Sequence, residues 1–181
     1  MKRFAIMVLV IVALAAPALA GVGTLSVNGD DQGTTCNISN PGSGQVLTYV
    51  LHTMNPGDEA TLSRFMIVPP VGWSLLFFSP QAGFISTGSA DLDISVAYGV
   101  CQQGTTLVGT GFWNATGAAP ACSYVEIKTA SGQLFVLATD CNFQEIEMPT
   151  PGKAIVNPDQ TCQCNIPTQP TTWGQVKALY R

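Results

Sequence analysis

The sequence predicts an all-β domain, an antiparallel β-sandwich. Three observations predict it: apolar residues recur with period two in many short runs, turn chemistry separates those runs, and no amphipathic helix occurs before the last ten residues. The clearest run is Leu92 to Tyr98, where Leu92, Ile94, Val96 and Tyr98 share one face of an extended chain. Tyr124 to Lys128 places Val125 and Ile127 inward and Glu126 outward, and Glu145 and Glu147 alternate with Ile146 and Met148. Further strands are expected over Gly23 to Val27, Val46 to Met54, Leu62 to Val68, Trp73 to Phe78, Thr106 to Trp113, Leu134 to Thr139 and Lys153 to Val156. Gly33 to Gln45 reads as a loop pinned by Cys36, and Ser79 to Ala90 as a long connection with a short strand.

Between the runs lie Asn28-Gly29, Asn55-Pro56-Gly57-Asp58, Pro69-Pro70, Ser131-Gly132 and Pro149-Thr150-Pro151-Gly152. Each combines residues that accept positive φ or fix φ near −65°, which is what reversals require. Ser131-Gly132 stands between two apolar runs and is expected to close a tight hairpin.

The N-terminus sets the compartment. Lys2 and Arg3 precede an uninterrupted apolar stretch from Phe4 to Ala16, and Ala18-Leu19-Ala20 supplies the small residues of a cleavage site. The stretch falls short of the roughly 20 apolar residues a membrane span needs. Residues 1–20 therefore read as a signal helix that is removed, leaving 21–164 as the sandwich, 165–171 as a linker and 172–181 as a tail. Cleavage leaves five Lys and Arg against eleven Asp and Glu, a net charge near −6. That balance, without any basic cluster, argues against nucleic acid and anionic membrane surfaces. The mature chain carries no membrane span.

All six cysteines, Cys36, Cys101, Cys122, Cys141, Cys162 and Cys164, follow the signal. An even number in an exported chain reads as disulfides, with 15 pairings open. Cys162 and Cys164, two apart in extended chain, are expected to bond different partners; metal binding by this pair is the alternative.

Catalytic chemistry is sparse. The only histidine, His52, sits inside a strand run, where a structural role is the simpler reading. Gly-x-Ser-x-Gly, His-Glu-x-x-His and Gly-rich phosphate loops do not occur. A carboxylate pair could hydrolyse glycosides, with Asp91 and Asp93 or Glu145 and Glu147 as the candidates. Each pair alternates on a strand, with solvent as its simplest destination. Asn28-Gly29-Asp30-Asp31 and Asp91-x-Asp93 offer oxygen ligands for calcium, but turn formation explains both and neither matches an EF-hand. No cofactor or metal is expected. Trp73 and Trp113 are the candidate ligand-binding residues, as a platform for sugar faces, although their apolar runs favour core packing.

The tail differs in kind. Thr172 with Gln175 fits a capping box, Trp173, Val176, Leu179 and Tyr180 give one apolar face, and Lys177 and Arg181 fall late, where cations suit the helix dipole. Nine or so residues make no stable helix alone, so this short C-terminal helix must dock, and those four apolar residues are the candidate recognition side chains.

Two resemblances extend the reading. The segment Phe65-Met66-Ile67-Val68-Pro69-Pro70-Val71-Gly72-Trp73-Ser74-Leu75-Leu76, followed by Leu92 to Tyr98 and Thr106-Leu107-Val108-Gly109-Thr110-Gly111-Phe112, resembles the cohesin-like and immunoglobulin-like sandwich modules of secreted bacterial proteins. The ending Thr172-Trp173-Gly174-Gln175-Val176-Lys177-Ala178-Leu179-Tyr180-Arg181 is similar to short Trp-Gly-x-Val/Ile-Lys-x-Leu-Tyr endings on exported proteins of uncultured bacterial lineages, where a Pro- and Thr-rich linker also precedes them. The first implies a sandwich; the second implies a shared tail element for sorting or docking. Together these readings give an exported, non-enzymatic structural or adhesive β-sandwich with a cell-surface or extracellular protein or glycan as partner. A carbohydrate- or ligand-binding module is the alternative, and a glycoside hydrolase a further one.

Overall fold

The computed structural model describes residues 22–148 and 151–164, and the signal, linker and tail lie outside the described residues. Twelve strands follow in order: β1 Thr24–Asn28, β2 Asn37–Ile38, β3 Gly44–Thr53, β4 Ala60–Val68, β5 Trp73–Pro80, β6 Ile85–Ser89, β7 Asp93–Gln102, β8 Thr105–Ala115, β9 Ser123–Lys128, β10 Val136–Asp140, β11 Glu145–Met148 and β12 Lys153–Val156. Among the described residues no helix interrupts them. Strand periodicity was legible because each long strand has one buried and one open face.

The strands form two layers. One is a four-stranded sheet in the order β1-β3-β8-β5. The other is built around β4, which pairs with β7 along one edge. Its opposite edge pairs with β10 along the first half and with β9 along the second. From there β11 extends the sheet beside β10, β12 and β2 extend it beside β9, and β6 flanks β7. All pairings are antiparallel except β12 with β2. On one side the layers meet where Gly152 N–H donates to the Leu25 carbonyl at 2.7 Å. A Cβ at Gly152 would fall 2.7 Å from Ser26, so only glycine allows that approach.

Between the layers lies one core: Leu25, Val27, Val50, Phe65, Ile67, Ile94, Val96, Val108, Trp113, Val125 and Val156 are fully enclosed. At about 25 cal/mol per Å² of apolar surface, this burial is the main stabilising contribution.

Three expectations are corrected here. Leu92 does not share the face of Ile94, Val96 and Tyr98: it lies in the turn before β7 and is 62% exposed. Ser131-Gly132 does not close a hairpin, because β9 and β10 do not pair; they lie along the same edge of β4, at Met66↔Lys128 and Leu137↔Arg64. The turn shifts the chain along β4 instead of folding it back on itself. The loop from Gly33 to Gln45 contains the two-residue β2, held beside β12.

Candidate functional site

The cysteines form three pairs: Cys36–Cys164, Cys101–Cys141 and Cys122–Cys162, with Cα separations of 5.5, 5.7 and 5.7 Å. Cys162 and Cys164 do take different partners. Since all four of their sulfurs are engaged, the metal alternative at Cys162 and Cys164 finds no free thiolate.

His52 is fully buried. Its Nε2–H donates to the Val22 carbonyl at 2.7 Å, which leaves Nδ1 to accept from the Tyr98 hydroxyl at 3.0 Å. Burial holds the imidazole below the ordinary histidine pKa, against the pull of the Val22 bond. Burial likewise pushes the Tyr98 phenol up, with the Ser63 hydroxyl opposing. A neutral, fully bonded ring cut off from solvent is a structural clamp between the two layers.

The carboxylate candidates separate. Asp93 grips Arg64 with both oxygens, at 2.9 Å to Nε and 2.5 Å to the terminal nitrogen, and this guanidinium holds the Asp93 carboxyl below the usual range. Asp91 accepts from the Ser89 hydroxyl. Glu145 and Glu147 point outward from β11, at an edge of the larger sheet. The calcium candidates are also committed locally: buried Asn28 bonds Ser26, and Asp30 caps Thr34.

Trp73 and Trp113, the candidate sugar platform, are both core residues. The Trp113 indole N–H donates to Thr48 Oγ1 at 2.9 Å, and that of Trp73 to Asn40 Oδ1 at 3.2 Å, with 6.5 Å between the ring centroids. Ring faces enclosed in this way do not meet solvent. The tail candidates Trp173, Val176, Leu179 and Tyr180 lie outside the described residues.

The surface that stands out is one that strand reading missed, the outer face of the four-stranded sheet. In register across it run Leu47 of β3, Phe112 of β8 and Phe77 of β5. The Phe77 and Phe112 rings stack with centroids 4.2 Å apart and planes 16° from parallel. A register shift between Leu75 and Phe77 breaks the in–out alternation of β5. Leu75 and Phe78 therefore pack on the core while the consecutive Leu76 and Phe77 are 52% and 51% exposed. Gly109 makes this possible, because a Cβ there would lie 2.6 Å from the Phe78 ring.

None of the four strands of this sheet carries an Asp, Glu, Lys or Arg. The larger sheet bears Arg64, Asp93, Glu126, Lys128, Asp140, Glu145, Glu147 and Lys153 on its strands. There Lys128 pairs with Glu126 at 3.1 Å and Lys153 covers the Tyr124 ring at 3.7 Å. One layer thus carries the charges; the strands of the other are uncharged, with apolar side chains exposed at the middle of its outer face. Exposed apolar surface without charge is the composition of an interface core.

With the geometry in hand, comparison with solved structures defines the class. A cohesin module from the Clostridium perfringens ATCC13124 family 33 glycoside hydrolase matches with a TM-score of 0.52 at 10% identity, covering 77% of this chain and 100% of the module. CaCohA2 of Clostridium acetobutylicum, in a complex of CaDoc0917 with CaCohA2, matches with a TM-score of 0.51 at 15% identity, covering 74% and 98%. No family model matches the sequence, and no curated protein matches it significantly. The chain therefore has the cohesin-like β-sandwich fold.

Proposed function

We propose that this chain is an exported, non-enzymatic docking module of the cell surface or secretome, and that its four-stranded sheet receives a protein partner across Leu47, Phe112, Phe77 and Leu76. The observation that carries the reading is the uncharged outer face with its exposed, stacked phenylalanines. Among the described residues, strand β5 lies at the edge of that sheet, and it carries no lysine or other charge. Such an edge and face invite association unless a specific partner covers them. The fold is consistent with this use, since CaCohA2 is itself found in a complex. Absence of catalysis is supported by the fates of the titratable groups: His52 is enclosed, Asp93 is paired with Arg64, and Glu145 and Glu147 stand exposed at a sheet edge. Export is supported by the Lys2-Arg3 start with its apolar run and by the three cysteine pairs, which persist in oxidising compartments.

The test places a photo-crosslinking side chain at position 76 in the native host and identifies what is captured. An extracellular protein should be recovered. Its affinity should fall at least tenfold in Phe77→Asp, while the thermal midpoint moves little because that ring is half exposed. Undiminished capture in Phe77→Asp would show that this face is not the docking surface.

A further inference from the structure

We infer that the C-terminal exit of the domain is a tether point, built to carry tension from the segment beyond Cys164 into the sandwich. The inference deepens the docking reading, on which it rests for the origin of the load: a module that holds a partner at one face must itself be held elsewhere.

The geometry begins at β12, the last strand, which lies between β9 and β2. After Val156 the chain leaves the sheet, and residues 158–161 are exposed. Burial alone therefore holds this exit weakly. A pull on the chain end would open the four-residue ladder of β12 one pair at a time, the geometry in which a strand yields most easily.

Two staples prevent that. Cys162 is bonded to Cys122, the residue before β9, and Cys164 to Cys36, the residue before β2. The exit segment is thus covalently attached to both strands that flank β12. Polar bonds tighten the same place: Asn157 N–H donates to the Ile38 carbonyl at 2.8 Å and accepts through its own carbonyl from Cys122 N–H at 3.2 Å. Its side-chain amide donates to the carbonyls of Asn40 and Ala119, both at 2.8 Å. Load arriving at Cys164 and Cys162 enters β2 and β9, and β9 is bonded to the central β4. It must then rupture the sheet as a whole instead of peeling its last strand. The third disulfide, Cys101–Cys141, joins the end of β7 to the turn between β10 and β11 and lies off this path. Its sequence separation of 40 equals that of Cys122–Cys162, which makes it an internal control for stabilisation without tension.

The experiment is single-molecule pulling of the full mature chain, with one handle after Arg181 and the other on an azide-bearing side chain at position 114 of β8. The oxidised protein should extend only when the whole domain ruptures. A chain with Cys36→Ser, Cys122→Ser, Cys162→Ser and Cys164→Ser should show an earlier step of roughly 50 Å as residues 151–164 peel, at about 3.6 Å each, at no more than half the rupture force. If that chain does not fold, the Cys101→Ser and Cys141→Ser variant, reduced while held folded in the instrument and compared with its own oxidised form, removes only the two exit staples. The double variant Cys101→Ser with Cys141→Ser should show no early step. The inference is overturned if the unstapled chain shows no early step, or if the Cys101/Cys141 variant peels as readily. Phe77→Asp should leave the traces unchanged, so failure of the docking reading and failure of the tether are separate results.

Discussion

Asn40 is 2% exposed and ties together four residues, Trp73, Ala119, Gly42 and Asn157. Its Oδ1 accepts from the Trp73 indole and from Ala119 N–H, its Nδ2 donates to the Gly42 carbonyl, and its backbone N–H donates to Asn157 Oδ1. Asn40→Ala leaves two buried donors without an acceptor, so it should cost about 2–4 kcal/mol in denaturant unfolding; a loss under 1 kcal/mol would mean that water replaces the amide. His52 makes a prediction about pH. Its folded pKa lies below the unfolded value of about 6.5. Below pH 6.5 the unfolded chain takes up a proton that the native ring refuses, so stability is full above that pH and falls as the solution is acidified. The slope between pH 6.5 and the folded pKa has the sign of a single proton taken up by the unfolded chain alone. His52→Gln should flatten the midpoint profile between pH 7 and 5, and an unchanged slope there would assign it to other groups. The Asp93 carboxyl acts lower, since its depressed pKa gives stability that is lost only as the pH falls below about 3.9.

At the scale of elements, β8 shows how small residues position large ones. A Cβ on Gly111 would sit 2.7 Å from Thr48 Oγ1 and 2.8 Å from the Trp113 indole nitrogen, in the middle of their hydrogen bond. Gly111→Ala should therefore break that bond and displace the indole, costing about 2 kcal/mol and shifting the tryptophan emission; an unshifted spectrum would mean the strand yields instead. Most strands were legible in the sequence because period two is a direct image of one buried face, as Val125, Ile127 and Glu126 illustrate. The candidate site was not. Leu75-Leu76-Phe77-Phe78 is a continuous apolar run, and only the register shift decides which two side chains turn outward. Phe112 likewise read as one more apolar residue in its strand. The tryptophans drew attention by their size, yet size is also what cores select, and both indoles found acceptors inside. Turn chemistry at Ser131-Gly132 marked a break between two strands correctly but misled as to reversal, because β9 and β10 run in the same direction along β4.

Across the whole molecule, the disulfides tie segments of the larger sheet that are far apart in sequence. Cys36–Cys164 closes a separation of 128 residues, and each of the others closes 40. Restricting the unfolded chain should favour the native state by about 5 kcal/mol for the long closure and about 4 kcal/mol for each short one, if chain entropy dominates. Cysteine spacing could not select these pairs, because the contacts arise from β12 settling between β9 and β2. Paired Cys→Ser variants, compared by denaturant unfolding, should therefore order with the Cys36/Cys164 variant least stable and the other two close together. In the pulling experiment Cys122/Cys162 and Cys36/Cys164 should act together, early peeling appearing when both are removed, and Cys101/Cys141 should be set apart. Equilibrium stability depends on how much chain is closed, whereas resistance to peeling depends on where the closure sits relative to the exit. If both measurements rank the three pairs identically, the staples at Cys162 and Cys164 act through chain entropy alone.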